Sequence, residues 1–269
     1  MTVPTVGLYR TDAHRYHWNG GPAMPGVTTI IGKVDKSGPL IGWAKGVTAD
    51  AALNNLDRLN EMMTTDGRAV TRSWLTAHAT AESDAAKDLG TRIHILAEQI
   101  SRGASPEVSE LEWPYVRAYQ QYLDDFAPEF RKGKSSLERY VANLKHGYGG
   151  TFDFLCHLDL GDGPKLTLGD LKTGKAHYSE TRLQLAALGA AEFIGMPNDP
   201  KPYSMPKVEQ YAVLHVRPEA YAKGYQLYRV HVTPADLDAF LGALAIYRWA
   251  EQQPSKGEPV QPRVKEEAA

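Results

Sequence analysis

Cysteine is almost missing from this chain. A single one, Cys156, stands among 269 residues, which excludes an internal disulfide, a four-cysteine zinc site and a four-cysteine iron–sulfur cluster. Long hydrophobic runs are missing as well: nothing approaches the roughly 18 apolar residues that a membrane span requires. The opening Met1-Thr2-Val3-Pro4-Thr5 lacks the basic region and apolar stretch of a secretory signal. The expectation is a cytoplasmic protein with no membrane partner. An excess of either charge is also lacking, with 30 Lys+Arg against 32 Asp+Glu and a formal charge of −2. A protein that coats nucleic acid through bulk charge would be basic. An enzyme that gathers carboxylates around metal ions and keeps cations on its flanks remains compatible with that balance. No internal repeat or low-complexity tract is visible. What is there is an ordinary globular composition, 42% hydrophobic and 23% charged, ample for a self-sufficient core.

The texture changes along the chain. Residues 7–31 read as a short β element, with Asn19-Gly20-Gly21 as a tight turn and the β-branched Val27–Ile31 as a strand. From Gly38 to Phe130 the apolar spacing is helical. Tyr115, Tyr119, Tyr122 and Phe126 there form an aromatic stripe, read as packing. Ser136–Asn143, Gly150–Leu160 and Lys165–Lys172 follow as three short strands. Leu183–Phe193 reads as a helix with Ser179 as its N-cap, and 197–206 as a proline-rich loop. Val208–Val216 and Tyr225–Val232 are two further strands. A last helix then has Thr233 as N-cap and Pro234 in its first position. The order β-β-β-α-β-β-α, with a helical half in front, predicts an α/β fold with a mixed sheet flanked by helices. Residues 1–252 are expected to form one domain: a β-hairpin and helical front half over 1–130, and a core over 131–252. Residues 253–269 are expected to be a flexible tail.

The chemistry concentrates on two strands. Strict alternation puts Phe152, Phe154, Cys156 and Leu158 on a core face and Asp153, Leu155, His157 and Asp159 toward a more polar one. On the next strand Asp170 and Lys172 are two apart and share a face. Such a pair near the end of an apolar strand is costly unless partnered. One reading is a plain Asp170–Lys172 salt bridge at a strand end. The sharper one is a cradle for a divalent cation, since two aspartates and a backbone carbonyl suit magnesium, with the lysine orienting a metal-bound water. Gly169 to Ala176 superficially follows a phosphate-loop pattern, but Ala176 replaces the hydroxyl that would hold magnesium.

These residues resemble the PD-(D/E)XK nuclease superfamily, in its RecB-like exonuclease branch of CRISPR-associated and phage-type members. Gly150-Thr151-Phe152-Asp153 is similar to that family's Gly-x-x-Asp, and Asp170-Leu171-Lys172-Thr173-Gly174 to its Asp-Tyr-Lys-Thr-Gly. Gly90-Thr91-Arg92-Ile93-His94 resembles its Gly-x-x-x-His segment. Gln184 begins an element in which Leu188 takes the place of the usual tyrosine. Met24–Ile30, followed by Trp43-Ala44, is similar to the opening of phage members. The resemblance implies a restriction-endonuclease-like core without an iron–sulfur cluster. It implies His94, Asp153, Asp170 and the Leu171 carbonyl as ligands of one or two Mg2+ or Mn2+ ions, and Asp153, Asp170, Lys172 and Gln184 as the catalytic set. Glu138 matches an acidic position and is read as a supporting acid rather than a direct ligand. Lys175, His177, Arg182 and Gln184 are the candidate DNA contacts, and Arg131, Lys132 and Lys134 form a further basic loop.

The expectation is therefore a metal-dependent DNA exonuclease in phage or bacterial recombination, repair or DNA processing, with DNA as partner and a recombination or repair protein as a second one. The alternatives are a site- or structure-specific endonuclease on the same fold, and a non-catalytic DNA-binding or partner-docking module.

Overall fold

A computed structural model describes residues 5–34, 37–130, 136–175, 179–252 and 257. Three short strands open it: β1 (Leu8–Arg10), β2 (Arg15–Trp18) and β3 (Met24–Pro25), joined in one small antiparallel sheet. Asn19 and Gly20 both take positive φ beyond β2. Asn19 also turns its side-chain oxygen back to accept the Gly7 N–H at 2.7 Å, as an Asn-Gly turn should.

The β-branched run that follows is not a strand. Val27–Ile31 forms the short helix α1, and this corrects the reading from propensity. Val27, Ile30 and Ile31 are all buried, and their i, i+3, i+4 spacing lets one helical face enter the core. Tertiary burial thus outweighs the intrinsic preference.

Four helices come next: α2 (Ser37–Asn54), α3 (Leu56–Thr65), α4 (Gly67–Ser101) and α5 (Trp113–Phe126). Helix α4 has 35 residues, about 50 Å at 1.5 Å per residue. Its N-terminal stretch carries α2 and α3. Only its last third joins the core, where Ile93, Leu96 and Ala97 pack with Val116, Ala118, Tyr119 and Tyr122 of α5. The aromatic stripe is therefore packing, as expected.

The main sheet has the order β11-β10-β7-β6-β5-β8-β9, with β4 (Glu129–Phe130) against β6. Its central strands are β5 (Leu137–Asn143), β6 (Tyr148–Asp159) and β7 (Pro164–Lys172). They form an antiparallel meander. The chain then crosses through α6 (Glu180–Gly189), β8 (Phe193–Met196) and β9 (Asp199–Ser204). It returns as β10 (Gln210–Val216), parallel to β7, and closes with β11 (Tyr225–Val230) and α7 (Pro234–Glu251). One parallel pairing among antiparallel ones makes the sheet mixed. One core layer joins it to α1, α6 and α7, the other to α4 and α5. The α/β expectation with flanking helices holds at this level.

The order differs from expectation in two added strands, β8 and β9, between α6 and β10, and Glu129–Phe130, expected to be helical, pairs as β4. The proposed loop 197–206 contains β9, whose Pro200 and Pro202 are tolerated because it is the sheet's last strand and pairs with β8 alone. The helix expected through Phe193 stops at Gly189, and Asn143 Nδ2 donates to the Ala190 carbonyl at 2.7 Å to satisfy its end. Ser179 occupies the N-cap position of α6 without a capping bond. At α7, by contrast, the Asp236 carboxylate accepts the Thr233 N–H at 2.7 Å. The expected tail lies outside the described residues apart from Gly257.

Candidate metal centre

The strict alternation expected for β6 fails at its centre, and the site lies there. Phe152 and Leu155 belong to the layer under α6 and α7, whereas Phe154, Cys156 and Leu158 belong to the layer under α4 and α5. Phe152 and Phe154, two residues apart, thus face opposite layers, and Leu155 is buried rather than polar. Ladder pairing between β6 and β7 ends at Phe154 and Gly169. Beyond that point Asp153 accepts the Leu171 N–H at 2.6 Å through Oδ2 instead of pairing as a strand residue.

Glycine makes this close packing possible. A Cβ on Gly169 would fall 1.8 Å from the Phe154 ring, so the far end of the ring packs directly on the strand beside Asp170. A Cβ on Gly150 would fall 2.5 Å from Leu188 Cδ2. Leu188, where a tyrosine was the family pattern, is therefore a core residue seated on β6.

On one side of the sheet's opening, α4 contributes His94. Its Nδ1 lies 3.3 Å from Glu138 Oε1 and 3.6 Å from Asp153 Oδ2. His94, Glu138 and Asp153 each offer a ligand atom within 4.8 Å of the others, the arrangement of a metal site. Glu138 reaches it from an unusual backbone, with φ of +47°. It stands opposite Asp153, between the paired couples Leu137–Phe154 and Arg139–Phe152. Left-handed backbone costs a non-glycine residue roughly 1–2 kcal/mol, and such strain gathers where a side chain is held for a purpose. The expectation of Glu138 as a supporting acid changes accordingly: it joins His94 and Asp153 as a ligand candidate. A cleft of about 10 Å3, room for one ion or water, is lined by these three residues with Glu98, Tyr119 and Leu171.

On the other side, Asp170 is buried; its Oδ1 accepts two hydrogen bonds, and its Oδ2 has no hydrogen-bond partner. Lys172 Nζ lies 3.0 Å from its Oδ1 and 2.8 Å from its Oδ2, and Gln184 Nε2 donates to Oδ1 at 2.8 Å. Lys172 also donates to Gln184 Oε1 at 3.4 Å. The reading as a plain salt bridge is thus correct about contact and incomplete about setting, because the pair sits in a buried network.

Titration behaviour ties the halves together. Burial pushes the Asp170 carboxyl up to about 6 against the pull of Lys172, with the Asp153 charge adding to the rise. Burial likewise raises Asp153. For His94, burial works downward, but the carboxylates of Asp153 and Glu138 outweigh it and lift the imidazole to about 9. Burial also lowers Lys172, and the charges of Asp170 and Asp153 reverse that into a net rise. Three carboxylates around one imidazole and one ammonium leave a shortage of positive charge. One imidazole nitrogen with carboxylate oxygens fits a hard to borderline divalent ion such as Mg2+ or Mn2+. The donor set can therefore hold a metal ion through His94, Glu138 and Asp153, with Asp170 adjacent.

The remaining candidates separate. Lys175 is exposed just beyond the site. Arg182 is turned to α7, paired with Asp236 at 2.8 Å. Leu171 enters through its N–H. His177, Arg131, Lys132 and Lys134 lie outside the described residues. Sequence reading missed the residues that brace the turn after Lys172. His215 Nε2 donates to the Gly174 carbonyl at 2.7 Å, and Arg217 Nη1 donates to the Lys175 carbonyl at 2.7 Å. His215 pairs in register with Lys172, and only knowledge that β10 and β7 are neighbours would have singled it out.

No protein-family model matches this chain, and no curated protein sequence matches it.

Proposed function

We propose that this protein is a metal-dependent deoxyribonuclease that hydrolyses phosphodiester bonds, with exonuclease action on DNA ends, on a restriction-endonuclease-like core. The observation that carries the reading is the convergence of His94, Glu138 and Asp153 with the Asp170–Lys172–Gln184 network where β6 and β7 part. A bound divalent cation would supply Lewis acidity, lowering the pKa of a water and offsetting charge on a phosphate oxygen. His94, Glu138 and Asp153 would hold it.

Lys172 stays protonated, and Asp170 and Gln184 fix its ammonium in one place. From there it can donate to an incoming water or to a phosphate oxygen, where a positioned charge counts most out of bulk solvent. Gln184 sets the direction of Lys172, and Leu171 fixes the Asp153 carboxylate through its N–H. Lys175, exposed past the braced turn, is placed to meet a backbone phosphate. The likeness of motif order to RecB-like nucleases favours recombination, repair or phage DNA processing as the setting.

The test uses end-labelled linear duplex, linear single strand and closed circular DNA, each with Mg2+, Mn2+ or EDTA. The expected result is metal-dependent loss of linear DNA with circles spared. Asp153→Asn, Asp170→Asn and Lys172→Ala should each lose about 10²–10³-fold, the scale of removing one electrostatic contributor. Cutting of circles would make it an endonuclease. Inertness of the wild type on every substrate would overturn the catalytic reading in favour of a binding module.

A further inference from the structure

Arg139 is outside the candidate ligand set and the Asp170–Lys172–Gln184 network, and its surroundings argue against a purely structural role. It follows Glu138 on β5 and is half-buried. Its Nε is shut away from solvent with no acceptor, and among the described residues its guanidinium makes no hydrogen bond or ion pair. Leaving a charged donor buried and unmet costs more than an ordinary lost hydrogen bond. A second guanidinium stands nearby. Arg102, two turns beyond His94 on α4, lies within electrostatic reach of Arg139. It donates to Glu98 Oε1 at 2.7 Å and to the Leu137 carbonyl at 3.2 Å. Glu98 thus hydrogen-bonds one arginine, whereas Arg139 feels the charges of Glu98 and Glu138 without a hydrogen bond to either. The row His94–Glu98–Arg102, along the end of α4 and its C-cap, meets Leu137 and Glu138 of β5, with Glu98 and Glu138 lining the same small cleft. Two neighbouring guanidiniums, one of them unpaired, stand at the edge of a candidate metal centre.

We infer that Arg139, with Arg102 beside it, forms an oxyanion subsite adjoining the metal centre, built to take a phosphate group. A planar guanidinium with spare donors matches phosphate in bidentate fashion, and the ligand would supply the missing acceptor charge. Assigning the anion to a phosphate of the DNA backbone rests on the nuclease reading. The subsite itself does not.

The full chain, freed of metal, is titrated with inorganic phosphate while its thermal midpoint is followed against chloride at matched ionic strength. The wild type should gain stability specifically from phosphate. Arg139→Gln should need at least about tenfold more phosphate for the same shift, the loss expected for a charge-assisted pair. Arg139→Lys should retain some of it. Lys223→Gln, which removes a distant surface cation, should behave as wild type. In phosphate-free buffer Arg139→Gln should be no less stable than wild type, because the residue removed is an unpaired cation. An undiminished phosphate response in Arg139→Gln, an equal loss in Lys223→Gln, or a clear fall in the phosphate-free midpoint of Arg139→Gln would each overturn the inference. With linear DNA and Mn2+, Arg139→Gln should raise KM about tenfold and leave kcat within about twofold. A phosphate response lost in Arg139→Gln from a protein that cuts no DNA would uphold the subsite and overturn the nuclease reading.

Discussion

Single residues in this protein give up local comfort for placement, and Glu138 is the plainest case. Its left-handed backbone carries the carboxylate to His94 and Asp153. At such a position Glu138→Gly should be about 1 kcal/mol more stable than Glu138→Ala, since only glycine escapes the steric cost. Urea denaturation of the two variants checks this. Both should bind Mn2+ more weakly than wild type by calorimetry. His94 makes a pH-dependent prediction. Its folded pKa of about 9 exceeds the ordinary value of 6.5, so it stabilises the metal-free fold fully below pH 6.5. That contribution fades as pH rises toward 9. The thermal midpoint of the EDTA-treated protein should therefore fall across that window. A His94→Gln variant should lack this component of the slope. A divalent ion takes the place of the imidazole proton, so its binding should tighten over the same interval.

At the scale of elements, β6 and β7 shape the site by packing against each other without side-chain bulk. Gly169 lets the Phe154 ring lie on β7, and Asp170 follows immediately. A methyl group added at Gly169 would displace that ring, an overpacking change that typically costs about 1–3 kcal/mol. Gly169→Ala should lower the unfolding free energy from urea denaturation by that amount, through a lower midpoint at an unaltered m-value. Adding Phe154→Leu to it should recover some of the loss, measured as a double-mutant cycle. The turn after Lys172 is braced from β10 by His215 and Arg217, which hold successive carbonyls. Elements far apart in the chain thus meet at the strand that carries Asp170 and Lys172 because β10 returns parallel to β7.

At the scale of the whole molecule, buried phenols and a charge-starved cleft set the response to solution conditions. Burial raises the phenols of Tyr119, Tyr122 and Tyr148 above their ordinary value near 10. The folded state therefore holds these protons more tightly than the unfolded chain. Stability should be unaffected by them below pH 10 and fall steeply above it, visible as alkaline unfolding followed by tyrosine absorbance and circular dichroism together. Mn2+ or Mg2+ should act in the opposite direction at neutral pH. At about 100 times its Kd a bound ion adds roughly 2.7 kcal/mol, so the thermal midpoint should rise by several degrees and EDTA should reverse it. Among the described residues no helix is long and apolar enough to cross a membrane.

The sequence by itself determined most of the element order, the mainly helical front half and the strand pair carrying Asp153 and Asp170. Those features rest on local periodicity, turn residues and capping, which neighbours in the chain specify. It also singled out His94, Lys172 and Gln184, whose partners come from elements already placed in order. Tertiary structure alone decided the rest. Val27–Ile31 became a helix because one face met the core. Strict alternation broke at Phe152–Phe154 because Glu138 and Asp153 leave the β5–β6 register there, Asp153 to accept the Leu171 N–H. Glu138 joined His94 and Asp153 in a cluster that could hold a metal ion through a backbone angle that no periodicity encodes. Arg139 was left without a hydrogen-bond partner for an equally nonlocal reason: of the acids within reach, Glu98 is held by Arg102 at the end of α4 and Glu138 lies beside His94.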